Sequence, residues 1–485
     1  MIRGVRGISF EQLMVGLLFG ALAAAACLMP AQPDTFWHLR AGEEIWATGH
    51  VPLDEHYSFT AAGRAWPNHE WLWQAFSYAL VRLGGMPLLT LACAALAVGA
   101  VALVHRLMVG PTRTRFVLLL LGIPLVPSVW AVRPQLVSLL LLAVLLHLLV
   151  HERFLWLPPL FALWANVHGA VALGIAVLCA ATAAALLRAR RGDGRDRWRA
   201  IALVVLLPVS ALATALTPMG FRLWSYIGGS MALSKQTRID EWRPAYPNGP
   251  FEIAFWVLAA GFVALLIWRG RRLAKASWAD LVSVAAALVV LPLAARAVRN
   301  VAPFLLLAIP AASRLLGPEF LVRLGRRPAP APQVGRGRTG GDRPRLNAAL
   351  LAAFTLVELC GVAVAWAGPH PRLGWRPLGE AAIEAVRGCP GPLYNRYYDG
   401  GFLIWFVPEQ RVFVDSRQDP YPLPLLLDQV AIEEGGAYSP VFDRYGMRCA
   451  FLPAGAPLGA RLGGDGWQTR YRDERWTVLV APSPN

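Results

Sequence analysis

The residues of this chain best suited to chemistry are polar groups set among bulky apolar ones. Pro33-Asp34-Thr35-Phe36-Trp37-His38-Leu39 places a carboxylate and an imidazole among aromatics directly after an apolar run, and the stretch that follows ends in His69-Glu70-Trp71. Later runs add Asn166 and His168, Asp240 and Glu241, and Arg299 with Asn300. Carboxyl and imidazole groups can take up and return protons in a reaction. A guanidinium such as that of Arg299 presents a bidentate fork to phosphate, its alternative role being to set membrane orientation. His38, His69, His168 and Glu70 are zinc-ligand types, but no HExxH or CxxC spacing supports a zinc site, and a divalent metal stays open as a cofactor. The absence of a GxSxG elbow argues against a serine hydrolase.

These groups need elements to bring them together, and composition says which kind. With 56% hydrophobic residues, 16% charged residues and a mean hydropathy of +0.46, the chain has too little polar surface for a soluble globule of 485 residues. The sequence therefore reads as an α-helical polytopic membrane protein. Its formal charge of +16 comes from arginines clustered between apolar runs, the pattern of the positive-inside rule, and no basic face with interleaved aromatics points to nucleic acid.

The run Leu13 to Met29 is long enough to span a bilayer, and Arg3 and Arg6 ahead of it favour a cytoplasmic N-terminus, so Asp34 is expected at the outer face. Trp71 to Leu83 reads as an interfacial helix and Met86 to Leu107 as the next span. Further spans are expected over Phe116–Trp130, Gln135–Val150, two within Phe154–Leu187, Ile201–Leu216, Phe251–Trp268, Leu281–Leu293, Val301–Leu316 and Leu346–Trp366, about eleven in all. Arg188, Arg190, Arg191, Arg195, Arg197 and Arg199 mark the cytoplasmic side most clearly. The predicted organisation is a membrane domain over 1–321 with an outer loop at 31–70, a Pro/Gly/Arg-rich cytoplasmic linker over 322–345, a last span over 346–367, and a small extracytoplasmic α/β domain over 368–485. A charge near hydrocarbon is costly unless paired or wetted, so polar residues at span ends are functional candidates, with capping and loop solvation as the alternative.

Within the tail, strands are expected at Pro392–Tyr394, Val412–Asp415, Cys449–Leu452 and Thr477–Val480, with helices near Gly401–Phe406 and Leu423–Ala431. Gly400-Gly401 permits a tight turn or a close backbone approach. Asp399, Asp415 and Arg417 are ligand candidates because Asp415 would end a strand of an open sheet, the alternative being a capped turn and a salt bridge. Cys389 and Cys449 could pair in an oxidising compartment, and the other four cysteines lie in apolar runs.

The plan of an acid just after the first span, an outer loop with interfacial helices and a C-terminal extracytoplasmic α/β domain resembles the GT-C glycosyltransferases, the group of protein O-mannosyltransferases and oligosaccharyltransferase catalytic subunits. More locally, PDTFWHLRAGEEIWATGHVPLDEHYSFTAAGRAWPNHEWL, WANVHG, RIDEW, VRN and YNRYYDGGFLIWFVPEQRVFVDSRQDPY are similar to bacterial membrane proteins placed near this group. The resemblance implies a multi-pass protein of the bacterial inner membrane that moves a sugar from a polyprenyl-phosphate donor to an extracytoplasmic glycan, lipid or protein, with inversion. It implies Asp34 as the base, Arg299 at the leaving phosphate, and Asp240 and Glu241 as a second acidic element. His38, His69, Glu70, Asn166, His168 and Asn300 complete the expected substrate-binding set. The neighbouring acid pair or DxD common in those families is missing, since Thr35 and Phe36 follow Asp34. The alternative is a non-catalytic membrane protein that binds, passes or scaffolds lipid-linked glycans.

Overall fold

In a computed structural model, the described residues are 7–190, 192–237, 239–270, 276–317, 342–368 and 371–482. Most of the expected linker, together with Arg191, lies outside them. Seven described helices are long and apolar enough to cross a membrane. They are α1 (Phe10–Cys27), α3 (Trp71–Leu107), α7 (Val171–Ala189), α10 (Pro250–Arg269), α11 (Trp278–Arg296), α12 (Val301–Leu316, with the turn ahead of it) and α13 (Pro344–Ala367). The apolar helices α5 (Gln135–Val150) and α6 (Leu157–Ala165, with its leading turn) are shorter.

Among the described residues, two of the expected spans take a different local form. Pro124 and Pro127 convert the end of α4 (Thr112–Gly122) into a 3-10 segment, Ile123–Val129, because proline supplies no N–H to an α-helical ladder. α8 (Gly194–Ala213) begins in charge, with Arg195, Asp196, Arg197 and Arg199 in its first two turns.

Short-range signals explain the elements that matter for the site. Ser9 and Gln12 close a capping box on α1. Pro33 starts α2 (Pro33–Thr48), a position where its missing N–H costs nothing, and Gly49 ends it in the left-handed region with φ 71°. Within α3, Gly84 and Gly85 leave helical geometry just before Pro87, so Trp71–Leu83 is a separate arm from the membrane-crossing part. A Cβ on Gly42 would lie 2.1 Å from the Gln74 carbonyl oxygen, so this glycine allows α2 to pack directly on that arm.

Two ends of the helical bundle differ in chemistry. α7 runs about 28 Å from the His168 turn to Arg188, near the thickness of a hydrocarbon core. At the Arg188 end, Asp196 pairs with Arg188 and Arg199, while Glu152 lies 2.7 Å from Arg199 and 3.1 Å from Arg195. The far end of α12 carries Arg314, 3.1 Å from Asp280, whereas its near end starts beside Arg299 and Asn300.

The tail forms a four-stranded mixed sheet in the order β1-β2-β4-β3. Its strands are β1 (Leu393–Asn395), β2 (Cys449–Pro453), β3 (Gln468–Arg472) and β4 (Trp476–Val480). β1 runs parallel to β2, and the other pairings are antiparallel. The expected strand at Val412–Asp415 is not one. Val412 forms an isolated bridge with Ser58 of the first loop, and the Asn395 side chain bonds Phe413 N at 2.8 Å and Val414 O at 2.7 Å, so polar backbone groups here are satisfied without a ladder. This segment instead ties the tail to the membrane domain.

Cys389 and Cys449 form a disulfide with Cα atoms 5.7 Å apart, joining the end of α14 (Glu380–Arg387) to β2 across 60 residues. Cys389→Ser is expected to destabilise the tail by about 2–4 kcal/mol. A thermal melt of wild-type protein with and without reductant checks this. The variant should melt early without reductant and match reduced wild type, and equal melting of oxidised wild type and variant would contradict it.

Candidate active site

Asp34 occupies the first turn of α2, and two neighbours fix where that turn lies. Thr35 donates from Oγ1 to the Val132 carbonyl at 2.8 Å, and Val132 N donates to the Pro30 carbonyl at 3.1 Å, which brings Arg133 alongside. On the other side a Cβ on Gly401 would lie 2.1 Å from the Pro33 carbonyl oxygen, so the tail helix α15 (Gly400–Phe406) abuts the residue before Asp34. Of the glycine pair, Gly401 thus makes its close approach against Pro33, and Gly400 makes its own against Val414 and Asp415 of the tail.

A cavity of about 650 Å³ opens at Asp34 and is also lined by Glu70, Arg133, Glu241, Arg299 and Asp419. Charges alternate along its wall. Asp34 Oδ2 lies 2.6 Å from Arg133 Nη2, Arg133 Nη1 lies 3.9 Å from Glu241 Oε2, and Glu241 Oε1 accepts from Arg299 Nη1 at 3.0 Å. Arg299 also lies 4.4 Å over the Trp242 ring, a cation–π contact that holds the guanidinium in place. Gln32 accepts from Arg133 at 3.0 Å. Carboxylates at both ends hold the Arg133 charge and raise its pKa against the cost of burial.

Three histidines surround Glu70. Nε2 atoms of His38 and His69 lie 3.6 Å from its carboxyl oxygens, and that of His168 lies 3.8 Å away. Burial, with help from Asp419 and Asp34, pushes the Glu70 carboxyl up to about 8, so it carries a proton at neutral pH. Burial lowers His69 to about 4 and His38 and His168 well below the ordinary range, so the imidazoles are neutral.

The His69 tautomer follows from its second ring nitrogen. The Pro67 carbonyl lies 3.2 Å from His69 Nδ1 and can only accept, so His69 turns its Nε2 lone pair toward Glu70. Ser138 Oγ accepts from Trp164 Nε1 at 2.8 Å and lies 2.8 Å from His168 Nδ1, so this hydrogen-bonded chain turns His168 Nε2 toward Glu70. Protonated Glu70 therefore faces an acceptor in His69 Nε2. The His38 ring lies against that of Trp37, centroids 3.6 Å apart and planes tilted by 34°. Among the described residues no group of three or more His, Cys, Asp or Glu is arranged to hold a metal ion.

The remaining sequence candidates divide. Asp240 and Asn300 line the cavity with Glu241 and Arg299. Asn166 does not line it, because its side chain accepts from Trp71 Nε1 at 2.6 Å and donates to the carbonyls of Ala162 and Leu216, so it clamps the first loop to the bundle. Asp399 is buried against Arg396 at 2.8 Å and also lies outside the cavity. Asp415 is fully buried and bound by Arg417, which also pairs with Glu55. Arg417 sits 4.7 Å from each of the Tyr57 and Trp66 rings. Asp415 and Arg417 are thus the mount of the loop rather than an open sheet edge.

That loop delivers residues which sequence reasoning did not assign to the site. Ser416 donates to Asp34 Oδ1, Asp419 accepts from the Tyr226 hydroxyl at 2.7 Å, and Gln418 bonds Ser234 and Thr237 at 3.0 Å each. Arg133 was also missed as a site residue. In sequence it carries the same signal as the arginines expected to orient the membrane.

No family profile and no curated protein matches the sequence. Solved structures do match the fold. The Archaeoglobus fulgidus oligosaccharyltransferase in its apo form is similar with TM-score 0.54 and 12% identity over 91% of this chain and 69% of that one. The same organism's AglB in complex with an inhibitory peptide and a dolichol-phosphate gives TM-score 0.55 at 12% identity, with the same coverage. ArnT from Cupriavidus metallidurans in the apo state aligns with TM-score 0.48 at 16% identity over 96% of this chain and 97% of that one. The chain has the fold of GT-C glycosyltransferases, as the sequence resemblance implied.

Proposed function

We propose that this protein is a glycosyltransferase that moves a sugar from a polyprenyl-phosphate donor to an extracytoplasmic acceptor with inversion. The observation that carries the reading is one cavity shared by a carboxylate, Asp34, and two arginines, Arg133 and Arg299. Asp34 takes the proton from the acceptor nucleophile as that atom attacks the anomeric carbon on the face opposite the phosphate. The bond from the anomeric carbon to the phosphate oxygen breaks, and polyprenyl phosphate leaves with the electron pair. Arg299, with Arg133, stabilises the charge that grows on the leaving phosphate. The dolichol-phosphate in the AglB structure supports a lipid-phosphate donor. The disulfide supports an extracytoplasmic tail, and the arginine cluster at the opposite end of α7 supports a cytoplasmic N-terminus in a bacterial inner membrane.

One observation favours the non-catalytic alternative. Asp34 is already ion-paired to Arg133 and accepts from Ser416, so both of its oxygens have partners within the protein. Arg299→Lys separates the readings, because an ammonium cannot reproduce the fork while keeping the charge. Transfer is expected to fall about 10-fold, as for loss of one charge-assisted hydrogen bond. Binding of a polyprenyl-phosphate sugar measured beside its turnover, across a panel of hexosyl and pentosyl donors, acceptors and divalent ions, decides the matter. Wild-type binding without turnover supports a carrier or scaffold, and unchanged binding and turnover in Arg299→Lys removes Arg299 from the phosphate.

A further inference from the structure

The Asp34 carboxylate is held at both oxygens, and the two holds come from different parts of the chain. Oδ2 faces Arg133 of the membrane domain. Oδ1 accepts the Ser416 hydroxyl, 382 residues away in sequence, and lies 3.4 Å from Trp37 Nε1. Trp37 Nε1 is also 3.3 Å from Ser416 Oγ. With the indole N–H directed at the serine oxygen, the hydroxyl proton turns to the carboxylate.

Ser416 has little freedom to leave. Asp415 and Arg417 on either side are fully buried, with Arg417 N donating to Asp415 Oδ1 at 2.9 Å. The Ser416 carbonyl accepts from Tyr397 OH at 3.0 Å. Gln418 holds φ at 63°, a left-handed conformation that a non-glycine residue keeps only when its surroundings impose it.

We propose that Ser416, delivered by the C-terminal domain, is a positioning residue for Asp34, so that the base has its working orientation only when the tail is seated on the first loop. This rests on reading Asp34 as the base. With Oδ2 against Arg133, the Ser416 donor, itself oriented by the Trp37 indole, sets the torsion of the carboxylate and leaves a defined lone pair toward the cavity. The other charged or titratable groups around Asp34 are Glu70 ahead of α3, Glu241 in the turn before α10, and Tyr397 and Tyr398 ahead of α15. None of them donates to Oδ1 among the described contacts.

The test is Ser416→Ala beside Ser416→Thr, which keeps the hydroxyl, and Ser416→Cys, a weaker donor of similar shape. A donor that favours the ionised carboxylate keeps the base active to lower pH. Its loss should move the acidic limb of the kcat profile up by about one pH unit and lower kcat about 10-fold, with donor KM little changed. Threonine should restore both and cysteine should fall between. An unmoved limb in alanine, or no recovery in threonine, overturns the proposal. A readout without turnover keeps it separate from the glycosyltransferase reading. The carboxylate band that disappears in Asp34→Asn can be followed by infrared titration, and its midpoint should rise in Ser416→Ala. A wild-type protein inactive with every donor would sink the transferase reading alone, whereas an unchanged midpoint would sink the positioning role alone.

Discussion

Asp34→Asn is expected to lower glycosyl transfer by about 100- to 10,000-fold, the range attributable to a general base, while membrane expression and donor binding persist. The amide has the shape of the carboxylate but cannot take a proton. Nor does the change strand a charge, since Arg133 keeps Glu241 at 3.9 Å and Gln32 at 3.0 Å. His38→Ala should cost less, because His38 faces Glu70 across 3.6 Å and belongs to the neutral cluster beside the base. Turnover in liposomes carrying a polyprenyl-phosphate sugar is the measurement. Near-normal turnover of Asp34→Asn with any active donor would remove the base assignment.

Arg417→Met should destabilise the folded protein by about 3–5 kcal/mol, the usual cost of leaving buried charges without their partner. Both Glu55 and Asp415 have fully buried side chains and share Arg417, so neither can turn to water when the guanidinium is lost. Methionine fills part of the space between Tyr57 and Trp66 but gives up the cation–π contacts of both rings. The expected signature is early thermal unfolding together with faster proteolysis of the tail. Adding Glu55→Gln and Asp415→Asn to Arg417→Met should recover part of the loss by removing the stranded charges. A melting profile equal to wild type would show that the cluster does not hold the tail.

These two expectations depend on unequal kinds of information. Asp34 was legible as a candidate because its signal is local: an acid beside aromatics immediately after an apolar run, where an unpaired charge is costly. The break in α3 was legible too, as an interfacial helix ending at Leu83 and a span starting at Met86, and the structure places Gly84, Gly85 and Pro87 at that break. Apolar run lengths revealed the membrane class, but not where prolines or a charged first turn change the local form of an expected span.

Only the tertiary structure decided which charges meet. Arg133 has the same composition signal as the arginines that orient the membrane, and becomes a site residue because Thr35 and Pro30 hold its backbone beside Asp34. Val412–Asp415 has the apolar pattern of a strand, yet Asn395 and the first loop take its backbone hydrogen bonds. Asp415 and Arg417 resemble exposed ligand groups in sequence, and their burial with Glu55 turns them into a mount for Ser416. Local sequence sets backbone preference and hydrophobic period, whereas the free energy of a charge depends on burial and on a partner that can lie hundreds of residues away.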